Sequence, residues 1–172
     1  FNLDLMHGLP EQSAEQALDD IERAIDLAPS HLSWYQLTIE KNTEFYSQPP
    51  ILPKEETLWD IQERGAEKLQ AAGYDQYEVS AFSKTGMQAQ HNLNYWTFGD
   101  YLGIGAGAHG KVTFSDSVHL LRYRKSRQPK DYLKPRILYR VGEENISQQD
   151  LGFEFLMNVL RLKEGVSEDS FA

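Results

Sequence analysis

The segment "YLGIGAGAHGKVTF", residues 101–114, decides between two kinds of fold. Gly105, Gly107 and Gly110 satisfy the pattern G-x-G-x-x-G, which binds a dinucleotide pyrophosphate when a strand precedes it and a helix follows it. The residues after Gly110, "KVTF", are β-branched and aromatic, and they predict a strand rather than a helix. A nucleotide-dependent dehydrogenase is therefore the weakest of the functional hypotheses that the sequence allows.

The spacing of the glycines in this segment indicates another role. Gly103, Gly105 and Gly107 fall at every second residue, so an extended chain would have one face without side chains. A flat ligand or another stretch of backbone could then lie against that face. The alternative is a tightly packed turn, which the spacing fits at least as well.

Upstream of this segment, strand and helix patterns alternate. The stretches "NLDLM" (2–6), "HLSWYQLTIE" (31–40) and "YDQYEVSAF" (74–82) predict strands with amphipathic helices between them. Ser13 and Gln16 form a capping-box signature at the start of the first helix. Helices of this length between strands predict parallel βαβ crossovers, in an open sheet or a barrel.

The composition excludes several classes of function. The chain has 172 residues, no cysteine and a net charge of −9, which argues against nucleic-acid binding and against thiolate ligation of zinc or an iron–sulfur cluster. No apolar run approaches the roughly twenty residues that span a membrane, and no secretory signal opens the chain, so we expect a cytoplasmic protein.

One stretch departs from the acidic average. Residues 122–136, "RYRKSRQPKDYLKPR", contain a single acid, Asp131, among seven basic side chains. A solvated face or loop is the plain interpretation, and a docking patch for a carboxylate-bearing ligand or an acidic partner is the alternative. Farther on, Ser147 predicts the cap of a last helix.

Several polar residues lie where α/β proteins place their sites, at the carboxyl ends of strands. Asp4 precedes a Gly-Leu-Pro turn and could accept hydrogen bonds from a ligand's ammonium or hydroxyl groups. Thr38 ends the second predicted strand, where an ordinary strand threonine is the alternative. His7 and His109 each adjoin a glycine and could line a cavity.

The segment "HNLNYW", His91–Trp96, combines one imidazole, two amides and two large aromatic rings. Imidazole is the usual protein ligand of haem iron, and aromatic rings provide flat walls for a macrocycle. The alternative is a structural loop, in which Asn92 and Asn94 bond turn backbone while Tyr95 and Trp96 anchor in the core.

Taken together, "NLDLMHGLP", "HLSWYQLTIEKNTEFY", "HNLNYW" and "DYLGIGAGAHG" resemble the oxygen-independent coproporphyrinogen III oxidase-like family of radical S-adenosylmethionine (SAM) proteins. The version "HNLNYWTFGDYLGIGAGAHG" resembles the branch described as haem chaperones. The resemblance covers essentially the whole chain, with the motifs in the same order and at matching spacing.

The resemblance implies an α/β fold, the later half of an incomplete (β/α)6 barrel plus the start of a C-terminal region. On this basis residues 1–114 belong to the barrel and residues 115–172 begin the accessory region. Family members bind SAM and a [4Fe–4S] cluster through a CxxxCxxC motif, which this chain lacks. We therefore expect an excised piece that is catalytically inert by itself.

The same resemblance assigns candidate residues. Those on the SAM side are Asp4, Thr38, Gly103, Gly105, Gly107 and His109. Asp4 matches an aspartate that contacts the second SAM seen in the oxidase, and Thr38 matches an alanine that lines that second site in the oxidase. His109 corresponds to an aliphatic residue beside the first SAM. His91, with Asn92 and Tyr95 beside it, is the candidate haem-associated group.

Two functions follow from the resemblance. The first is a haem chaperone that delivers haem to a respiratory acceptor, with the cluster and SAM in a supporting role. The second is the oxidase itself, which decarboxylates coproporphyrinogen III propionates through a deoxyadenosyl radical. We also expect unpaired sheet edges through which the chain could self-associate.

Overall fold

The computed structural model describes residues 1–114, 119–134 and 139–171. The chain forms two compact units, Phe1–Ala89 and Gln90–Ala172. The expected division at residues 114 and 115 separates a barrel from an accessory region, and that assignment stays a prediction.

The first unit is a mixed α/β structure. Its elements, in chain order, are β1 Asn2–His7, α1 Ala14–Asp26, β2 His31–Gln36, α2 Glu44–Ser47, α3 Glu55–Ala71, β3 Asp75–Glu78 and β4 Ala81–Ser83. The strands form one sheet in the order β1-β2-β4-β3. The expected parallel crossover joins β1 to β2, which pair from Asn2↔His31 to His7↔Gln36.

The third predicted strand is wrong. The stretch 74–82 does not form one parallel strand but a tight hairpin, and β4 pairs antiparallel with both β2 and β3. The chain reverses at Val79 and Ser80, and the Ser80 carbonyl accepts a hydrogen bond of 2.8 Å from the backbone N–H of Trp34. The reversal places a returning strand, rather than a parallel one, beside β2.

The first helix begins as the sequence predicts. The Ser13 hydroxyl accepts from the backbone N–H of Gln16, and the Gln16 side chain accepts from the backbone N–H of Ser13 at 2.9 Å. Leu18 and Ile21 are buried on its inner face. This pairing satisfies two of the N–H groups that a helix start leaves free.

The core of the first unit centres on Trp34, which is 2% exposed. Its ring lies so close to α3 that a Cβ added to Gly65 would be 1.9 Å from it. The glycine therefore lets the helix approach the sheet. Around the indole pack buried residues of both helices and of the sheet, including Ala17, Ile21, Leu32, Ile61, Leu69, Tyr74 and Phe82.

The second unit combines a three-stranded antiparallel sheet with helices. Its elements are α4 Gln90–Trp96, β5 His109–Phe114, β6 His119–Lys125, α5 Pro129–Tyr132, β7 Arg140–Ile146, α6 Gln148–Val159 and a 3-10 turn at Glu168–Phe171. The strand order is β5-β6-β7. The first four residues of the basic stretch, 122–125, thus end β6, and its last two, Pro135 and Arg136, lie outside the described residues.

Two sequence predictions in this unit have different outcomes. Ser147 caps α6, as predicted, by accepting from the backbone N–H of Asp150. The alternative prediction of a loop for "HNLNYW" is wrong, because these residues lie in α4. At the end of this helix, the backbone N–H of Thr97 donates to the Leu93 carbonyl at 2.8 Å. In the described part of the chain, no helix is long and apolar enough to cross a membrane.

Candidate functional site

The glycine segment is a packed turn and not an extended strand. Gly105 and Gly107 have φ values of +102° and +73°, a region that side chains rarely adopt. Gly103 has a different duty, since an added Cβ would lie 2.0 Å from the carbonyl oxygen of His109. The side-chain-free face that alternation predicted is therefore wrong. The segment leads into β5 rather than a helix, so it lacks the helix N-terminus of a dinucleotide site.

Tyrosines of the second unit hold this turn in place. The backbone N–H of Gly103 donates to the Tyr123 hydroxyl at 3.2 Å, and that of Gly105 donates to the Tyr132 hydroxyl at 3.3 Å. Gly107 donates to the Ser126 carbonyl at 2.7 Å. The turn is thus anchored on β6 and on the segment after it.

Beside the turn lies a cavity of about 530 Å³, which we call the aromatic cavity. Its lining comes from α4, the turn, β5, β6 and α6: Tyr95, Trp96, Tyr101, Leu102, Gly103, Ile104, Ala108, His109, Lys111, Arg122 and Asn158. Leu102 and Ile104 are 75% and 86% exposed. An apolar rim of this kind suits a ligand with a large apolar surface.

Three rings form a row of edge-to-face contacts, and two of them, Tyr95 and Tyr101, line this cavity. The rings of His91 and Tyr95 are 4.5 Å apart edge-to-face, and those of Tyr95 and Tyr101 are also 4.5 Å apart edge-to-face. His91 is exposed and lies one turn before Tyr95 on α4. The His91 imidazole therefore lies at the outer end of this row of rings. Asn92, the third candidate here, lies half-buried on α4.

Two cations contribute to the cavity wall. Lys111 has a side chain only 3% exposed, and burial lowers its pKa to about 8. Its ammonium donates to the Phe98 carbonyl at 2.6 Å and lies 3.4 Å from the centre of the Phe98 ring. Arg122 is paired with Glu154 of α6.

His109, expected on the SAM side, is the first residue of β5 and is exposed. It lines the aromatic cavity together with Gly103. The structure thus brings His109 and the glycine turn to the same cavity as Tyr95, which the sequence assigned to a different ligand.

Asp4 lies in the first unit, on the sheet face opposite Trp34. It is exposed and pairs in register with Ser33 of β2. Hydrogen bonds from Ser33 and from Asn2, whose amide donates at 2.8 Å, hold the pKa of Asp4 below its ordinary value. The carboxylate is therefore ionised and open to a cationic or hydroxyl-bearing ligand.

Behind Asp4 lies a chain of hydrogen bonds that no local sequence pattern indicates. His31 is buried, and its Nδ1 lies 2.6 Å from the Asn2 side-chain oxygen while its Nε2 lies 2.7 Å from the Tyr77 hydroxyl. Because the Asn2 amide donates to Asp4, its oxygen is free to accept from His31. The network orients Asn2 toward the carboxylate.

Thr38 and His7 do not lie where the sequence predicted. β2 ends at Gln36, so Thr38 lies beyond the strand, exposed, and its hydroxyl donates to Glu40 at 3.3 Å. His7, expected to line a cavity, is 1% exposed and packs with its ring 4.3 Å from that of Trp34. It belongs to the core of the first unit.

Among the described residues, no group of three or more His, Asp or Glu side chains is placed to hold a metal ion.

No family model matches the chain. Curated relatives and a solved structure are nevertheless similar to it. The chain is 57% identical to the heme chaperone HemW of Escherichia coli (strain K12) over 171 residues, which are 99% of this chain and 44% of that protein.

Other relatives extend the comparison. A heme chaperone HemW of Bacillus subtilis (strain 168) is 34% identical over 180 residues, 100% of this chain and 46% of that protein. The mitochondrial radical S-adenosyl methionine domain-containing protein 1 of Mus musculus is 34% identical over 175 residues, 96% of this chain and 40% of that protein. The fold matches a solved coproporphyrinogen III oxidase (HemN) from Escherichia coli with a TM-score of 0.71 and 19% sequence identity. The match covers 94% of this chain and 40% of that one.

Over the segment that it spans, the chain is similar in sequence to several heme chaperones HemW, at 34–57% identity in the bacteria named here. The chain spans less than half the length of the curated relatives that it matches. The likeness to the solved oxidase shows the mixed α/β fold alone.

Part of this site has no local signal in the sequence. Lys111 begins the predicted strand "KVTF", Arg122 lies in the basic stretch, and Glu154 follows the predicted cap of the last helix. Their convergence depends on the pairing of β5 with β6 and on the packing of α6. A lysine followed by a β-branched pair at a strand start gives no local sign of burial.

Proposed function

We propose that this chain carries the haem-binding part of a radical SAM haem chaperone, with haem as its cargo and the aromatic cavity as its site. One observation carries the proposal. The edge-to-face row of His91, Tyr95 and Tyr101 runs from an exposed imidazole into a cavity of about 530 Å³. The names of the relatives at 57% and 56% identity, both heme chaperones, support it.

The residues of the cavity fit a haem chemically. A porphyrin is flat and apolar over most of its area and carries carboxylates on one edge. Tyr95, Tyr101, Leu102 and Ile104 offer apolar and aromatic surface to the macrocycle. His91 is exposed and offers an imidazole nitrogen to the iron.

The other candidate residues serve SAM in this proposal. Asp4 is ionised and open, as an acceptor for ammonium or hydroxyl groups must be. The resemblance assigns His109 and the glycine turn to the first SAM, although His109 and Gly103 also line the aromatic cavity, and it assigns Thr38 to the second. The chain has no cysteine, so thiolate ligands of a [4Fe–4S] cluster come from no residue of this chain.

The proposal extends to the cell. The chaperone works in the cytoplasm and passes haem to a respiratory protein, for which the exposed histidine at the rim is suited. An exposed ligand can exchange with a ligand of the acceptor without opening the core.

A titration with Fe(III) haem tests the proposal. The chain should bind haem with a shifted Soret band, and His91→Ala should weaken binding at least tenfold. His119→Ala, which removes a half-buried histidine of β6, is the matched control and should bind as the unchanged chain does. Equal binding by His91→Ala would remove His91 from the site.

The oxidase is the alternative, and an assay separates the two functions. The whole parent protein, reduced and supplied with SAM under anaerobic conditions, should release no carbon dioxide from coproporphyrinogen III. Sustained formation of protoporphyrinogen would replace the chaperone with the oxidase.

A further inference from the structure

The aromatic cavity is lined by a buried cation, Lys111, whose ammonium has no carboxylate within hydrogen-bond distance among the described residues. The Lys111 side chain is 3% exposed and lines the cavity. Lysine is rarely buried unless it is paired, because the ammonium loses its hydration. Its near contacts are a carbonyl, a ring face and one carboxylate.

That carboxylate is already engaged elsewhere. Asp100 lies 3.8 Å from the Lys111 ammonium, beyond hydrogen-bond distance. One of its oxygens accepts from the Thr113 backbone N–H and the other from the Thr113 hydroxyl, both at 2.8 Å. Asp100 is also partly exposed, so its charge is screened. It offsets only part of the cost of burying Lys111.

A second cation lines the same cavity. Besides burial, the charge of Arg122 lowers the pKa of Lys111, and the charges of Asp100 and Glu154 raise it. Glu154 pairs with one end of the guanidinium. The buried Nε of Arg122 has no hydrogen-bond partner within the part of the chain that the structure describes. An arginine can therefore still donate to an incoming oxygen.

We propose that Lys111 and Arg122 form an anionic subsite that holds a carboxylate of the cavity's ligand. The aromatic and apolar lining would hold the body of the same molecule. This inference rests on the proposed function, and it identifies the bound edge of the haem as the one that carries the propionates.

The subsite also explains the arrangement of the cavity wall. Lys111 and Arg122 pair in register across β5 and β6, so both side chains leave the sheet on the same face. Like charges in directly opposed positions destabilise a sheet by themselves. An anion between them would offset that repulsion. A structural role for Lys111 alone, through its contact with Phe98, requires no anion.

Fe(III) protoporphyrin IX and its dimethyl ester separate these roles. Both have the same iron and macrocycle, and only the first carries free carboxylates. We expect the chain to bind the free acid at least tenfold more tightly than the ester. Equal affinity for both would overturn the subsite while leaving haem binding intact, and binding of neither would overturn the proposed function.

Variants then assign the preference to these side chains. Lys111→Met and Arg122→Gln should each reduce the preference for the free acid to threefold or less, with affinity for the ester unchanged. Unchanged ester binding shows that the cavity is intact, and it distinguishes loss of a charge from loss of structure. Should Lys111→Met fail to fold, Arg122→Gln carries the test.

Lys163→Met is the matched control, because Lys163 is exposed and lies outside the lining of the cavity. It should keep the full preference for the free acid. The full preference in a folded Arg122→Gln variant would contradict the proposal.

Discussion

The three glycines at 103, 105 and 107 are close in sequence but have different structural roles. Gly105 and Gly107 are required by their left-handed backbone, whereas Gly103 is required by the approach of His109. An alanine at Gly103 would have to displace backbone, and at Gly107 it would meet its nearest heavy atom at 3.8 Å. The period of two that the sequence displays therefore has no common structural cause.

His7 makes the first unit sensitive to acid. Burial lowers its pKa to about 4, from an ordinary value of 6.5, although the Gln62 side chain opposes the shift. Gln62 only partly offsets the burial, because neither ring nitrogen makes a hydrogen bond of ordinary geometry in the described structure. The unfolded chain then binds the proton more readily than the folded chain between these two pKa values.

The stability that depends on neutral His7 is thus complete above about pH 6.5 and falls as the pH drops toward 4. The loss in the free energy of unfolding should reach about 2–3 kcal/mol. His7→Phe should reduce this loss, as measured by urea denaturation between pH 7 and pH 4. His119→Gln keeps His7 and should retain the loss. A pH dependence that is the same in His7→Phe would show that other groups cause it.

At the scale of elements, α3 packs on the sheet through Gly65. Alanine has the higher helix propensity, by about 1 kcal/mol, so propensity alone predicts that Gly65→Ala stabilises the chain. The added Cβ would instead lie 1.9 Å from the Trp34 ring, in a core without room to shift. Overpacking of this kind costs about 1–3 kcal/mol and exceeds the gain.

We therefore expect Gly65→Ala to lower the free energy of unfolding by about 1–2 kcal/mol, measured by chemical denaturation. Glu67→Ala, on the exposed face of the same helix, should change it by less than about 0.5 kcal/mol. Stabilisation by Gly65→Ala would mean that the helix moves away from Trp34 at little cost.

Local chemistry made some elements predictable. Ser13 with Gln16 and Ser147 before α6 are caps, and a cap depends on residues within one turn. The hairpin of β3 and β4 and the helix over "HNLNYW" were not predicted. The turn of the hairpin has neither Gly, Pro, Asn nor Asp at Val79 and Ser80, and asparagine and aromatic residues have low helix propensity, so long-range packing decided both.

In the candidate site, too, residues with a local signal could be predicted and residues brought together by long-range packing could not. His91, Tyr95 and His109 could be named because their side chains have distinctive chemistry. Lys111, Arg122 and Glu154 could not, because their proximity results from pairing between β5 and β6 and from packing of α6. The chain of hydrogen bonds from Tyr77 through His31 to Asn2 spans 75 residues of sequence and is likewise visible only in the fold.

At the scale of the whole molecule, the first unit ends its sheet on β1. A strand at a sheet edge offers unpaired backbone groups, and the exposed Met6 adds apolar surface there. We expect concentration-dependent self-association in sedimentation experiments, weakened by Met6→Lys. Glu67→Lys, away from the edge, is the control and should leave it unchanged. A chain that stays monomeric at all concentrations would show that this edge is protected.

In the proposed complex, His91 offers its imidazole to haem at the mouth of the aromatic cavity. The Soret spectrum of the Fe(III) haem complex of His91→Ala, recorded with and without added imidazole, tests this role. We expect the variant to lose the spectrum of the unchanged chain and imidazole to restore it, because the free ring occupies the place of the missing side chain. A variant that keeps the original spectrum, or that imidazole leaves unchanged, would contradict it.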